Sequence, residues 1–337
     1  MNGIIAHLRN KALLAALAAA LAPGLQAAGP AAASDPQLEG LIQRLRGDDA
    51  YERQRAAIAL GNLRDPRALE HLVAALGDED VFVRNFAARS LGQLADEGAV
   101  GPLIRALGDE NLLVRRSAIG SLGILGSAEA VEPLIGVVRG DGDGIERRAA
   151  IEALGRIGDP KGIDPMIEAL REGSIYIRNG ALTALAGIGP AARPKLVTAL
   201  SDWIAGPWVV EVLEDLQWQP SSEEERIWFD VASRNGRSIL ENWDAAKRVL
   251  AASAGSGDGR EVYNAVVAFI GVGRDETIDE LIAIIREKGT VTMAEAFIGS
   301  GKDALVDAAR EWARRHGAEV DAAAGSPVVE WGALEPS

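Results

Sequence analysis

The chain of 337 residues contains no cysteine. This absence excludes disulfide bonds, thiolate metal sites and a cysteine nucleophile, and it also excludes the lipid-modified cysteine of a bacterial lipoprotein. Histidine is almost as rare, because the chain has only His7, His71 and His316. A site that needs several imidazoles therefore has few residues to draw on.

The short motifs of common catalytic sites are also missing. The sequence has no phosphate-binding loop, no dinucleotide glycine fingerprint and no Ser-His-Asp spacing. The glycine-rich stretch GVGRDE at 271–276 ends a helical pattern instead of following a strand, so we interpret it as a helix C-cap. We therefore predict no catalytic residue, no metal site, no bound cofactor and no enzymatic activity.

Positive charge is scarce relative to negative charge. Lys and Arg number 35 against 49 Asp and Glu, which gives a formal net charge of −14. Nucleic acids and anionic membranes attract clustered Lys and Arg side chains. We therefore expect neither of them as the main partner.

Residues 1–33 carry the pattern of a bacterial signal peptide. Arg9 and Lys11 precede the apolar run ALLAALAAAL at 12–21, which is short for a spanning helix of about 20 residues. Small-residue cleavage sites follow near Ala28 and directly before Ser34. We expect a periplasmic or secreted mature protein without membrane insertion. The alternative is an uncleaved anchor.

One short pattern recurs five times in the first half of the chain. Successive copies are 31, 31, 32 and 31 residues apart, and a fixed period in this range predicts a solenoid. The copies are ERQRAAIALGNL at 52–63, VRNFAARSLGQL at 83–94, VRRSAIGSLGIL at 114–125, ERRAAIEALGRI at 146–157 and IRNGALTALAGI at 177–188.

Each copy has the periodicity of an amphipathic helix. In the second copy, Val83, Ala87 and Leu91 recur at the 3.6-residue spacing that places side chains on one helix face. A shorter helical pattern precedes each copy, and the polar turn between them offers Asp80 or Asn111 as an N-cap. Such a helix pair cannot bury its apolar stripe alone, so stacked pairs share one core.

A glycine near the end of the first four helical copies disfavours the helix by about 1 kcal/mol relative to alanine. We interpret it as a position of close approach, where a side chain would clash with the next helix. The glycines are Gly61, Gly92, Gly123 and Gly155.

These features resemble the HEAT-repeat family, specifically its short bacterial and archaeal PBS-lyase-like type. The matching residues are Pro102, Pro133 and Pro165 in the first helices, the Val-Arg pairs at 83–84 and 114–115, and the Leu-Gly pairs. The resemblance covers residues 36–200. It implies an all-α, right-handed α-solenoid of about eight helix pairs with an irregular C-terminal cap, whose second helices line the concave face.

Arginine occupies the second position of every copy. The resemblance implies a structural role, in which each arginine bonds a turn aspartate and nearby carbonyls and ties repeat to repeat. Turn carboxylates such as Asp80 and Asp109 favour this pairing, and a row of anion-binding groups is the alternative. The arginines of this structural ladder are Arg53, Arg84, Arg115, Arg147 and Arg178.

The outward positions of the second helices offer candidate partner-binding residues. Phe82 and Phe86 fall in one repeat of a chain that is only 4% aromatic, and arginines accompany them. Exposed aromatic and arginine side chains carry much of the binding energy at interfaces. Packing of both rings between helices is the alternative. The candidates are Arg55, Phe82, Phe86, Arg89 and Arg116.

Beyond residue 200 the repeat pattern fades, and all seven tryptophans occur there. We expect them to fill irregular gaps, with stacking on sugars or bases as the alternative. The predicted organisation is a signal peptide at 1–33, a regular solenoid at 34–218, degenerate HEAT-like helices with a C-terminal cap at 219–317, and a flexible tail at 318–337.

Function follows from the fold only as a hypothesis. We expect a non-catalytic protein–protein interaction scaffold, exported to the bacterial envelope, that binds an unidentified protein on its concave helix face. Related repeats occur in phycobilin lyases, so a bilin-handling enzyme is the alternative, although those lyases work in the cytoplasm. A third hypothesis is a structural envelope protein that self-assembles.

The pair Glu70-His71 is similar to one His-Glu pair of the HEAT-type di-iron hydroxylase that modifies deoxyhypusine. That enzyme needs several such pairs on facing repeats. The corresponding positions of the other repeats carry no histidine, so we expect His71 to be a surface residue.

Overall fold

The computed structural model describes residues 35–320, and all regular secondary structure in that range is helical. The predicted signal peptide at 1–33 and residues 321–337 of the predicted tail lie outside the described residues. Among residues 35–320, no helix has both the length and the apolar character needed to cross a bilayer.

The described residues divide into two compact units, 35–162 and 163–320. This division falls within the region of regular repeats. The boundary predicted at residue 218 concerns a change in sequence pattern and stays a prediction.

The first unit alternates short first helices with second helices of 14 residues. Single 3₁₀ turns precede three of the first helices, at Pro66–Ala68, Glu97–Ala99 and Ala128–Ala130, and a further one lies at Pro160–Gly162. The helices are α1 (Pro36–Leu45), α2 (Ala50–Leu63), α3 (Leu69–Ala75), α4 (Val81–Leu94), α5 (Val100–Ala106), α6 (Leu112–Leu125), α7 (Val131–Arg139) and α8 (Gly144–Ile157).

Each second helix of the first unit begins after a side chain that caps it. The Asp80 carboxylate accepts hydrogen bonds from the N–H groups of Phe82 and Val83, both at 3.0 Å. Asn111 accepts from the N–H of Leu113 at 2.9 Å. These bonds satisfy donors that have no partner within the helix, and they confirm the predicted caps at Asp80 and Asn111.

The second helices pack side by side, α2 against α4, α4 against α6 and α6 against α8. A β-carbon added to Gly92 would lie 2.5 Å from Ser121 Oγ and 2.9 Å from Ser121 Cα. Ser121 is buried, and its hydroxyl donates to the Ala88 carbonyl at 2.7 Å. Gly61 and Gly123 approach the next second helix equally closely, which confirms the predicted close contacts at these three positions and the α-solenoid class.

The second unit continues the helix pairs and then becomes irregular. Its 3₁₀ turns lie at Gly189–Ala192 and Asp275–Thr277. The helices are α9 (Ile163–Leu170), α10 (Ile175–Ile188), α11 (Arg193–Ala199), α12 (Gly206–Asp215), α13 (Glu223–Ala232), α14 (Gly236–Glu241), α15 (Trp243–Ala254), α16 (Gly259–Val272), α17 (Ile278–Lys288), α18 (Val291–Gly299) and α19 (Asp303–His316).

Tryptophans occupy contacts between the irregular helices of the second unit. Trp228 and Trp312 are buried, as expected for residues that fill gaps in packing. Trp312 closes the end of α17, where a β-carbon added to Gly289 would lie 2.3 Å from Trp312 Nε1. Trp243 is half-buried beneath the Arg274 guanidinium, 5.2 Å from its ring centroid, an arrangement that allows a cation–π attraction.

A buried carboxylate lies at the junction of α13 and α14. Asp230 is 6% exposed and accepts hydrogen bonds from Ser238 Oγ at 2.6 Å and from Asn235 Nδ2 at 3.4 Å. Burial raises the pKa of Asp230 above its ordinary value, because these bonds offset only part of the lost hydration.

Candidate partner-binding surface

The arginine ladder joins consecutive repeats of the first unit through bidentate ion pairs. Arg53 Nε lies 2.8 Å from Asp78 Oδ2, and Nη2 lies 2.9 Å from Oδ1. Its Nη1 donates to the Asp48 carbonyl at 2.8 Å. Arg84 makes the same pair with Asp109, at 2.8 and 3.1 Å. Because both arginines are buried, they act as joints of the fold.

The aspartate in each joint is held in its charged form. Burial opposes ionisation of Asp109, but the hydrogen bonds from Arg84 and from the Asn111 N–H outweigh it and lower the pKa of Asp109. We expected Asp80 to pair with an arginine of the arginine ladder, but it does not. It caps α4 and accepts a hydrogen bond from Gln54 Nε2 at 3.0 Å.

Arg115 has a different partner. Its Nε and Nη2 atoms donate to the Glu146 carboxylate at 2.7 and 3.2 Å. Glu146 occupies the position that Val83 and Val114 hold in the preceding copies. A buried carboxylate at such a core position needs a charged partner, and Arg115 is within reach.

The last two arginines of the arginine ladder also bond backbone carbonyl groups. Arg147 Nε donates to the Val138 carbonyl at 2.8 Å, at the end of the preceding first helix. In the second unit, Arg178 Nη1 donates to the Glu172 carbonyl at 2.8 Å, and its guanidinium lies 4.6 Å from the Trp208 ring centroid. The expected pairing with a turn aspartate is therefore confirmed for Arg53 and Arg84.

A large apolar side chain is exposed at the second residue of every second helix in the first unit. These residues form what we call the apolar ladder: Tyr51 (62% exposed), Phe82 (47%), Leu113 (44%) and Ile145 (49%). Single exposed apolar side chains are common on protein surfaces. Recurrence at one structural position in four consecutive repeats makes this row the candidate interaction surface.

Hydrogen bonds and an ion pair between repeats align the four residues of the apolar ladder, which we call its rungs. Gln54 on α2 bonds the cap of α4, as described above. Ser117 Oγ lies 2.6 Å from Asn85 Oδ1, which joins α6 to α4. Arg116 Nη2 donates to Asp143 Oδ2 at 2.8 Å, which joins α6 to the cap of α8. The N-terminal turns of these helices therefore lie side by side at one edge of the unit.

The candidate residues from the sequence lie on α2, α4 and α6 near this ladder. Arg55 is exposed, with its guanidinium 5.8 Å from the Tyr51 ring centroid. Phe86 is half-buried one turn beyond Phe82, and Arg89 is exposed. Arg116 is half-buried and held by Asp143, so its guanidinium already has an anionic partner.

Exposed carboxylates run beside the apolar ladder. Each of three carboxylates lies three residues before a residue of the apolar ladder. We call these carboxylates the carboxylate row: Asp48, Glu79 and Glu110. The side chains of Glu79 and Glu110 are 89% and 88% exposed. Each makes only a longer second contact with a ladder arginine, at 3.4 and 3.3 Å.

Sequence reasoning found only one of the four apolar ladder residues. Phe82 attracted attention because aromatic residues are rare, whereas Tyr51, Leu113 and Ile145 did not. The available signal was their spacing of 31, 31 and 32 residues, the same as that of the arginines. In the second unit Tyr176 holds the same position on α10 and is 48% exposed.

No group of three or more potential metal ligands occurs in the part of the chain that the structure describes. His71 Nδ1 lies 3.1 Å from Arg46 Nη2. His316 stacks on Trp312, with ring centroids 4.6 Å apart. Both histidines thus contact neighbouring side chains of the fold.

Comparison with solved structures finds similar repeat proteins. The complex of CpcE and CpcF of phycocyanin lyase from Nostoc sp. PCC7120 is 25% identical, covering 68% of this chain and 97% of that chain, with a TM-score of 0.42. Human deoxyhypusine hydroxylase is 19% identical over 83% and 96%, with a TM-score of 0.35. Computationally designed armadillo repeat proteins for modular peptide recognition are 20% identical over 58% and 98%, with a TM-score of 0.39.

A comparison with curated proteins finds no match. The family model for HEAT repeats matches residues 38–103, 83–154 and 131–214, which together span more than half of the chain. The matched segments contain the arginine joints, the capped second helices and the close glycine contacts described above. The chain belongs to the HEAT-repeat family.

Proposed function

We propose that this protein is a non-catalytic scaffold that binds a partner protein through the exposed edge of its second helices. The observation that carries this proposal is the apolar ladder. Four large apolar side chains remain about half exposed at the same position of four repeats, although burying the rest of each would contribute about 1 kcal/mol. Contact with a partner would recover that contribution.

The arginine joints support the same proposal. A surface that is already ordered loses little conformational freedom on binding. Buried bidentate pairs on α2 and α4 and the close contacts of Gly92 and Ser121 fix the spacing between rungs. The ladder is thus an ordered surface before any partner arrives.

The proposed site of action is the bacterial envelope, in the periplasm or outside the cell. This part rests on the sequence pattern of residues 1–33 alone. Fractionation of the native host and N-terminal sequencing of the recovered protein test it. A protein found in the cytosol with residue 1 intact would contradict export while leaving the binding proposal open.

Affinity capture tests the binding proposal. Residues 34–337 are immobilised and exposed to envelope extract, and bound proteins are identified and quantified. We expect one protein in stoichiometric amount, lost with the double variant Phe82→Ser/Leu113→Ser. The matched control is Ile204→Ser/Val291→Ser, which removes two exposed apolar side chains from the second unit. Equal capture by both double variants would contradict the proposed surface.

The alternative functions give different results with the same purified protein. A bilin-handling protein would carry visible absorbance or take up added bilin. A self-assembling protein would show concentration-dependent growth in sedimentation. Either result, together with empty capture, would replace the scaffold proposal.

A further inference from the structure

We infer that the partner presents an extended basic segment with an apolar side chain at about every third residue. This inference rests on the proposed function and specifies what the apolar ladder and the carboxylate row recognise. It follows from three features of the first unit: the spacing of the rungs, the charge beside them and the width of the apolar ladder.

The rung spacing selects the backbone form of the ligand. Packed helices have axes about 8–10 Å apart, and the close glycine contacts hold α2, α4 and α6 together. A polyproline II segment advances about 9.3 Å in three residues, which is also one full turn. Every third side chain of such a segment therefore faces successive rungs. In a β-strand, side chains on one face repeat about every 6.7 Å, which does not match the spacing of the rungs.

The charge beside the rungs selects basic residues. Asp48, Glu79 and Glu110 lie three residues before Tyr51, Phe82 and Leu113, so each of these rungs pairs an apolar side chain with a carboxylate. Near Ile145, the exposed residues Asp141 and Asp143 continue the acidic side of the edge. A Lys or Arg next to each apolar residue of the ligand would meet this row.

The width of the surface argues against a helical ligand. A helix buries a broad apolar stripe, more than about 100° of its circumference. One turn beyond the ladder the surface is mixed, with Arg55 on α2, Phe86 on α4 and Ser117 on α6. The continuous apolar feature is a single row of side chains, which matches one edge of an extended chain.

Synthetic peptides test the inference with the mature full chain, residues 34–337. The first peptide has five repeats of Leu-Lys-Pro, whose prolines prevent both helix formation and regular strand pairing. The second has the same composition with its leucines grouped at one end. The third has five repeats of Leu-Glu-Pro. Binding is measured by calorimetry or fluorescence anisotropy at low and high salt.

We expect the first peptide to bind at least about tenfold more tightly than the other two, a difference of about 1.4 kcal/mol. The ladder variant Phe82→Ser/Leu113→Ser should lose that preference, and Ile204→Ser/Val291→Ser should retain it. The variant Glu79→Gln/Glu110→Gln should weaken binding and reduce its salt dependence. It leaves the Arg53–Asp78 and Arg84–Asp109 pairs in place, so it should fold normally.

Equal affinity for the first two peptides, or no binding of the first, would overturn the inference. If the ladder variant still loses capture of an envelope protein, the proposed function stands and its ligand has another form. If the first peptide binds with its preference intact in the ladder variant, both the inference and the assigned surface are wrong.

Discussion

Gly92 and Ser121 are in such close contact that the glycine has no room for a side chain. An added β-carbon would meet the Ser121 hydroxyl, its β-carbon at 2.7 Å and its backbone Cα. Gly92→Ala should therefore lower the free energy of unfolding by about 1–3 kcal/mol. Urea unfolding followed by circular dichroism measures this change.

Gly120 supplies the matched control, because it lies within α6 and no atom of a neighbouring helix comes within 4 Å of its added β-carbon. Gly120→Ala should raise the free energy of unfolding by about 0.5–1 kcal/mol through helix propensity alone. Stabilisation by Gly92→Ala would show that α4 and α6 are further apart than the structure places them.

The Arg84–Asp109 pair should be costly to break on one side. Arg84→Met leaves the Asp109 carboxylate largely buried without its cation, and we expect a loss of about 3 kcal/mol at neutral pH. Arg84→Met/Asp109→Leu removes both charges and should recover most of that loss. Unfolding midpoints of the two single variants and the double variant measure the coupling.

The same pair has a defined pH dependence. The folded pKa of Asp109 lies below its unfolded value of about 3.9, so its stabilisation is present above that pH and is lost as pH falls through the folded pKa. The deficit of Arg84→Met should therefore shrink on acidification below about pH 4. A deficit that is constant from neutral to acid pH would contradict the assignment.

These joints and caps could be predicted from sequence because they depend on local patterns. Asp80 and Asn111 cap helices that begin beside them, and Gly92 repeats at the period of its helix. The apolar ladder was harder to predict from the sequence. Phe82 and Val83 are adjacent apolar residues at the edge of a helix face, and one residue of rotation decides which of them is buried.

The partners of the long arginine side chains were also hard to predict from the sequence. The resemblance to HEAT repeats implied that Arg115 would bond a turn aspartate, but its guanidinium bonds Glu146 on the next second helix. Arg178 similarly lies on Trp208, a residue of the next second helix. Partners of long side chains depend on the packing of neighbouring repeats, which the sequence period does not specify.

Asp230 should have the opposite pH dependence to Asp109. Its folded pKa is raised, so its contribution to stability is fully present below the unfolded pKa of about 3.9 and is lost as pH rises through the folded value. Asp230→Asn keeps the shape and removes the charge. The stability of this variant relative to the parent should therefore increase with pH from about 4 and then level off.

Thermal unfolding of both proteins across this pH range measures the difference. Asp303→Asn is a suitable control, because Asp303 is an exposed carboxylate at the start of α19. A relative stability of Asp230→Asn that falls with rising pH would reverse the assignment.

The contact between Gly289 and Trp312 should stabilise the C-terminal helices. A β-carbon on Gly289 would also lie 2.2 Å from the Ile285 carbonyl oxygen, so neither neighbour offers space. Gly289→Ala should lower the unfolding midpoint and increase the tryptophan fluorescence change at low denaturant. Gly187→Ala, on an open position of α10 in the same unit, should leave both unchanged or raise the midpoint.

The arginine joints also make part of the solenoid interchangeable. Asp78 and Asp109 are 31 residues apart and receive Arg53 and Arg84 in the same bidentate geometry. If residues 78–108 were deleted, Asp109 would take the place of Asp78 beside Arg53, and Ser121 would take the place of Ser90 beside Gly61. The shortened chain would therefore keep a complete arginine joint. No such exchange exists around Arg115, whose partner Glu146 is unlike the others. Gain or loss of whole repeats in this protein is therefore structurally favoured before α6 and disfavoured after it.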